Sequence, residues 1–280
     1  MRSGFVTLVG RPNAGKSTLV NRLCGAHVSI VSNKPQTTRH QVRGVLNRPD
    51  AQVVFVDTPG LHKPVTALGE RLNATAADAL QGVDVVWFVV DATKPFGSGD
   101  AWVAERIPAG AVVVITKTDK ATRPQVFAQL AAAQAALASA EAFFPVSGKT
   151  GDGIDSLVEH TVARLPVGPQ YYPDGMISDV DDSQAIAELV REQLLALTEQ
   201  ELPYSIATRI VDSAQGRVYC EIVVERESQK GMVIGKGGLL LKQVGVAVRR
   251  QRPDIVFLDL RVKVDPHWQR RPDRVRRLGY

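Results

Sequence analysis

The sequence predicts two domains in series: an α/β domain on a mostly parallel sheet, then a small α+β domain. Three observations lead there. Short apolar runs alternate with helical patterns through the first 165 residues. The stretch LPVGPQYYPDG (165–175) then interrupts that pattern with three prolines and two glycines. Beyond it, a helix, a hairpin, a glycine turn and one more strand replace the alternation. The expected boundaries are a first domain at 1–166, a linker at 167–182 and a second domain at 183–280. A chain of 280 residues is long enough for two such cores.

Each element follows from local pattern. Strands are expected at 5–9, 53–56, 83–90, 112–116 and 143–146, where near-continuous apolar runs indicate burial on both faces. Residues 41–46 are expected to pair antiparallel with 53–56. Helices are expected at 16–24, 68–80, 124–138 and 154–165. In the second domain a helix at 183–201 lines up Ile186, Leu189, Val190, Leu194 and Leu197 on one side. Strands at 205–212 and 217–226 join through a turn at 214–216, and a third strand spans 255–264. A basic helix ends the chain.

Composition narrows the class. Hydrophobic content of 44% and charged content of 22% are ordinary for a globular protein. No run of about 18 apolar residues suggests a spanning helix, and the first apolar stretch is too short for a secretory signal. Cys24 and Cys220 stand alone, as reduced cytosolic thiols do. Charge is uneven. Residues 167–229 hold 4 Lys+Arg against 12 Asp+Glu, whereas residues 230–280 hold 13 against 4. A polyanion partner on one face fits that asymmetry.

Gly10-Arg11-Pro12-Asn13-Ala14-Gly15-Lys16-Ser17 has the G-x-x-x-x-G-K-[ST] spacing between a strand and a helix. Glycines let backbone N–H groups wrap phosphates, Lys16 reaches the terminal oxygens, and Ser17 offers a hydroxyl to Mg²⁺. Asp57-Thr58-Pro59-Gly60 ends one strand; Asp57 can hold Mg²⁺ through water and Gly60 can offer its N–H to a γ-phosphate. Thr116-Lys117-Thr118-Asp119 ends another, where a carboxylate accepts both the ring N–H and the amino group of guanine. Ser147-Gly148-Lys149 can supply N–H groups to the guanine O6. All four lie at strand C-termini, in order.

A second loop, Val233-Ile234-Gly235-Lys236-Gly237-Gly238, lacks that spacing and carries no Ser or Thr after its lysine. It matches G-x-x-G, and apolar residues follow it. Such a turn between helices lets a single-stranded backbone approach closely. Lys242, Arg249 and Arg250 add charge nearby.

These segments resemble the five motifs of the Ras-like GTPases. Pro35-Gln36-Thr37-Thr38-Arg39 followed by Asp57-Thr58-Pro59-Gly60-Leu61 resembles the Era family. The resemblance implies a P-loop NTPase G domain followed by a type II KH domain. It implies GTP/GDP and Mg²⁺ as cofactors, with Thr38 as a metal ligand and Thr37 as the competing assignment. Thr116 replaces the usual asparagine, as in Rho-type GTPases, and Gly148 replaces the usual alanine. Leu61 stands where Ras has a water-orienting glutamine. Relatives with an apolar residue there use K⁺ held by a first-loop asparagine, here Asn13; a turn-forming role is the plainer alternative. The catalytic set implied is therefore Lys16, Thr38, Gly60 and Asn13, and a slow intrinsic rate is expected.

The resemblance further implies binding to the small-subunit ribosomal RNA near its 3′ end and a part in small ribosomal subunit maturation. A tRNA-modification GTPase shares the G-domain segments but carries a catalytic cysteine near its C-terminus, which is missing here. The tail HWQRRPDRVRRLGY, with five arginines, suits phosphate contact, membrane-surface contact or plain solvation. Trp268 fits either core packing or base stacking, and Tyr171 and Tyr172 are expected to dock the domains. A cytoplasmic monomer is expected, with peripheral contact at the cytoplasmic face of the cell membrane as a further expectation.

Overall fold

A computed structural model describes residues Met1–Tyr280. The chain divides into two compact units. The first comprises Met1–Val31, Gln36–Pro64 and Arg71–Asp179; the second comprises Val180–Tyr280 with Ser32–Pro35 and Val65–Glu70.

In the first unit, β1 (Arg2–Gly10), β2 (Val42–Asn47), β3 (Ala51–Asp57), β4 (Val85–Asp91), β5 (Val112–Thr116) and β6 (Ala142–Pro145) form one sheet. Their order is β2-β3-β1-β4-β5-β6, parallel throughout except for β2 against β3. The helices are α1 (Lys16–Cys24), α2 (Ala67–Asp78), α3 (Ser98–Ala104), α4 (Arg123–Ala136) and α5 (Ile154–Arg164). Successive strand side chains point to opposite faces, so the run VVWFVV feeds two cores. Val85, Trp87 and Val89 join Leu19, Leu23 and Leu157 on one side. Val86, Phe88 and Val90 join Ala76, Val103 and Ala133 on the other. The antiparallel β2–β3 pair is the expected hairpin. Helix α3 was not expected: its seven residues, SGDAWVA, are too short to show a period. It is started by the Asp100 carboxylate, which accepts from Gly97 N at 3.0 Å.

The stretch expected as a linker is ordered along this unit as far as Asp179. Gln52 is fully buried, and its Oε1 accepts from Tyr171 N at 2.8 Å and Tyr172 N at 3.0 Å. The Tyr171 ring meets Phe5 edge-on at 4.7 Å, and the Tyr172 hydroxyl donates to Asp179 at 2.6 Å. Both tyrosines therefore spend these bonds inside the first unit. Val45 N donates to Ile177 O at 2.7 Å, and Gly44 bridges Ser178 beside the outer edge of β2.

The second unit contains α6 (Asp182–Leu197), α7 (Leu202–Ser205), β7 (Ala207–Ala214), β8 (Arg217–Val224), α8 (Glu227–Ile234), α9 (Leu239–Gln251), β9 (Phe257–Val264) and α10 (Pro272–Arg277). Its sheet runs β7-β8-β9, antiparallel then parallel, the type II KH arrangement. Leu258, Leu260, Val262 and Val264 of β9 face the core with Ile186, Val190, Val233, Val244 and Val248. Residues 257, 259, 261 and 263 therefore face the opposite way. An 18-residue window within Glu227–Gln251 reaches a mean hydropathy of 1.3, enough for a spanning helix by composition. Three glycines interrupt this stretch between α8 and α9, so no single helix of that length forms. Trp268 is fully buried; its Nε1 donates to Ser205 O at 2.9 Å and its ring stacks on Tyr280 at 5.9 Å. Of the two readings of Trp268, packing is the one found.

Candidate functional site

The C-terminal ends of β1, β3, β5 and β6 bring the motif loops to one edge of the sheet. Gly10 ends β1 where an added Cβ would lie 2.3 Å from Val89 O, so only glycine fits. Gly15 opens α1 at φ 98°, a left-handed angle that favours glycine. The first N–H groups of α1 have no partner within the helix and form an anion site. Lys16 is buried, and its Nζ donates to Gly10 O at 3.1 Å and Arg11 O at 3.0 Å. Burial lowers its pKa to about 8, against the pull of Asp57. Arg11 turns away and pairs with Asp100 at 3.1 Å.

Asp57 ends β3, fully buried. Its Oδ2 accepts from Ser29 Oγ at 2.7 Å and lies 3.4 Å from Thr38 Oγ1. Ser17 Oγ and Thr38 Oγ1 are 2.8 Å apart. The Thr38 hydroxyl thus joins this group. Burial pushes the Asp57 carboxyl upward, opposed by Lys16 and the hydroxyls of Ser17, Ser29 and Thr38. Its Oδ1 is buried with no hydrogen-bond partner. An orphaned carboxylate oxygen beside two hydroxyls is an all-oxygen donor set suited to Mg²⁺. Ser29 has no motif signal in the sequence. Asn21 of α1 fixes it, accepting from Val28 N at 2.9 Å and Ser29 N at 2.8 Å and donating to Ser29 O at 2.7 Å.

Gly60 packs so closely on the phosphate loop that a Cβ would lie 2.4 Å from Pro12 N. The side chains of Thr58 and Leu61, two residues expected at the nucleotide, turn into the framework. Thr58 Oγ1 donates to Leu8 O at 2.7 Å, while Leu61 is buried in the core and its N–H donates to Gly10 O at 3.1 Å. His62, which sequence reasoning passed over, lies 2.8 Å from Gln36 Nε2 and 3.1 Å from Gly60 O.

At the base-recognition end, Thr116 Oγ1 lies 2.5 Å from Ala14 O and 3.1 Å from Val90 O. Threonine therefore still ties β5 to the phosphate loop. Lys117 Nζ bridges Asn13 O and Asp91 Oδ2, each at 2.6 Å. Burial disfavours the Asp91 anion, but bonds from Lys117 and Thr93 outweigh it and hold its pKa below the usual range. Asp119 is exposed and accepts from Ser147 Oγ at 2.7 Å. Lys149 N and Thr150 N donate to that same Ser147 oxygen at 3.2 Å and 3.0 Å, which fixes the loop. A Cβ on Gly148 would be 3.4 Å from Leu19, so alanine would just fit there.

In the second unit, Gly235 has φ 71° and ψ 171°, open essentially to glycine alone. Gly237 and Gly238 have positive φ and nothing within 4 Å of an added Cβ, which leaves bare backbone for a strand to approach. Lys236, Lys242, Arg249 and Arg250 are exposed. Val233 is not: it is fully buried, because its turn of α8 points to the core, and it supports the loop from beneath. Ile234 is half-buried.

Two families match this chain. Residues 5–117 match the family described as 50S ribosome-binding GTPase, and residues 201–269 match the KH domain family. The chain is 47% identical to GTPase Era of Mycobacterium tuberculosis strain H37Rv over 295 residues, covering 99% of this chain and 98% of that one. It is 45% identical to GTPase Era of Mycobacterium avium over 296 residues, covering 100% and 99%. A crystal structure of Era with MgGDPNP and nucleotides 1506–1542 of 16S ribosomal RNA superposes with a TM-score of 0.95 at 37% identity, over 100% of this chain and 99% of that one. A point variant of Aquifex aeolicus Era bound to GDP and AlF4⁻ gives 0.94 at 36%, with the same coverage.

Proposed function

This chain belongs to the Era family of GTPases, and from that premise we propose that it is a GTP-hydrolysing switch that binds small-subunit ribosomal RNA near its 3′ end and assists small ribosomal subunit maturation. The observation that carries the switch is the Ser17–Thr38–Asp57 cluster with its orphaned oxygen, beside a buried Lys16. Lys16 exchanges two carbonyls for phosphate oxygens and neutralises charge there. Asp57 and the two hydroxyls would hold Mg²⁺, which when bound would supply positive charge against the phosphates. Gly60 offers its N–H to the γ-phosphate, and Thr38 reports on the metal. Loss of the γ-phosphate therefore loosens both the loop bearing Thr38 and the loop after Gly60. No side chain is placed as general base.

Leu61 has no polar atom and lies in the core, so it cannot orient water. A potassium ion held by Asn13 would take that part. Lys117 already engages the Asn13 main-chain oxygen, so the Asn13 contribution comes from its side-chain amide. RNA binds across Gly235–Gly238, with Lys236, Lys242, Arg249 and Arg250 on phosphates. The protein acts as a monomer in the cytoplasm, and the exposed arginines of the tail support peripheral contact with the anionic inner face of the membrane.

The decisive experiment is single-turnover phosphate release in KCl and in NaCl, with and without a small-subunit RNA 3′ fragment. Faster release in KCl, lost in Asn13→Ala, is expected. Equal rates in both salts dismiss the potassium role, and no release with Mg²⁺ present dismisses the switch. Lys236→Asp with Gly237→Asp should abolish RNA binding and leave GTP binding intact.

A further inference from the structure

The sheet face turned away from α6, α8 and α9 holds, against α10, a pocket of about 300 Å³ that neither loop explains. Four cations line it, Arg209, Lys263, Arg274 and Arg277, against two carboxylates, Glu221 and Asp265, which leaves a surplus of two positive charges. The carboxylates pin the cations in place. Glu221 is buried, accepts from Arg209 at 2.6 and 2.9 Å, and pairs with Lys263. Asp265 holds Arg274 at 3.2 Å. Arg277, exposed on α10, has no partner and supplies unspent charge at the rim.

Farther along the same face of β8 and β9 lies an aromatic pair. Phe257 is exposed and meets Tyr219 edge-on at 6.0 Å, with the Arg217 guanidinium 5.1 Å from its ring centre. Phe257 and Lys263 are six residues apart on one strand, about 20 Å at the usual rise. That spans about three nucleotides of extended single strand. A cationic pocket at one end and an exposed stacking ring at the other make the pair of features that sequence-tolerant single-strand sites use.

We propose that this sheet face is a second RNA-binding surface, taking a backbone phosphate in the Arg209–Lys263–Arg274–Arg277 pocket and a base on Phe257. It extends the RNA reading given above, on which it rests, because it lengthens the footprint beyond the four nucleotides of the glycine turn. Single-strand RNA is favoured over a lipid headgroup because an exposed aromatic pair shares the face with the charge.

The test uses the full chain and two RNAs of mixed sequence, one of about five nucleotides and one of about twenty. Arg277→Glu leaves no partner stranded, and Phe257→Ala removes the ring; thermal melts confirm that each folds. Both should bind the short RNA as wild type does and bind the long RNA at least about fivefold more weakly. Arg277→Glu should also flatten the salt dependence, since each lost single-strand phosphate contact removes about 0.7 from the slope. Unchanged long-RNA affinity in both variants, while Lys236→Asp with Gly237→Asp still abolishes binding, overturns the second surface and leaves the first reading standing. Loss of binding to phosphatidylserine vesicles in Arg277→Glu with RNA affinity unchanged overturns it in favour of a membrane. Failure of the wild type to bind either RNA overturns both.

Discussion

Nucleotide binding at alkaline pH should draw a proton from solution, and Lys16 sets the amount. Without nucleotide its ammonium is buried against two carbonyls, and burial lowers its pKa from 10.5 to about 8. At pH 8.5 about three-quarters of molecules then hold a neutral amine. A polyphosphate on the loop restores the charged form, so binding GDP should take up about 0.7 proton at pH 8.5 and about 0.1 at pH 7. Calorimetry in two buffers of unlike ionisation enthalpy reads this number directly. Lys16→Arg keeps its charge throughout and should show no uptake. Zero uptake by the wild type at pH 8.5, or equal uptake by Lys16→Arg, would refute the assignment. The same shift makes stability without nucleotide depend on pH. The unfolded chain binds the extra proton between pH 8 and 10.5, so stability rises with pH across that window. The gain, about 3 kcal/mol when complete, is lost as pH falls through 8.

Other perturbations have equally definite outcomes. Gly60→Ala sets a Cβ 2.4 Å from Pro12 backbone, which must displace the phosphate loop; GTP affinity should fall at least about tenfold by nucleotide-exchange kinetics. Thr116→Val strands the buried carbonyls of Ala14 and Val90, and denaturant melts should show a loss of about 1–3 kcal/mol. Asp119→Ala removes the acceptor for paired guanine donors, so the preference for GTP over ATP should collapse by about a hundredfold or more in competition binding. Trp268→Ala empties a fully buried site bonded to Ser205; the second unit should lose about 3–5 kcal/mol in denaturant melts.

Much of the fold was legible because its signals are local. Strand 112–116 and helix 16–24 were placed to the residue, since continuous β-branched runs and a glycine–lysine start leave little choice. What escaped depends on distant partners. Ser29 matters through Asp57, 28 positions away, and no spacing rule connects them. Proline and glycine marked 167–182 as a linker, yet a buried Gln52 more than a hundred residues earlier holds its backbone. Val233 shares a motif with exposed residues, but helical geometry turns it inward. Motifs name the residues that touch a ligand; they do not say which member of the motif only supports it.

The ordered stretch beside β2 has a consequence for solution behaviour. β2 ends its sheet, and an edge strand offers an open row of donors and acceptors to any passing extended chain. Here Val45 and Gly44 already engage Ile177 and Ser178, and Asn47 Nδ2 donates to Met176 O at 2.9 Å. The protein thus shields its own sticky margin with a later piece of itself. A protease cut in the exposed turn near Asp174 would loosen that shield, and clipped material should cloud on standing while intact material stays clear.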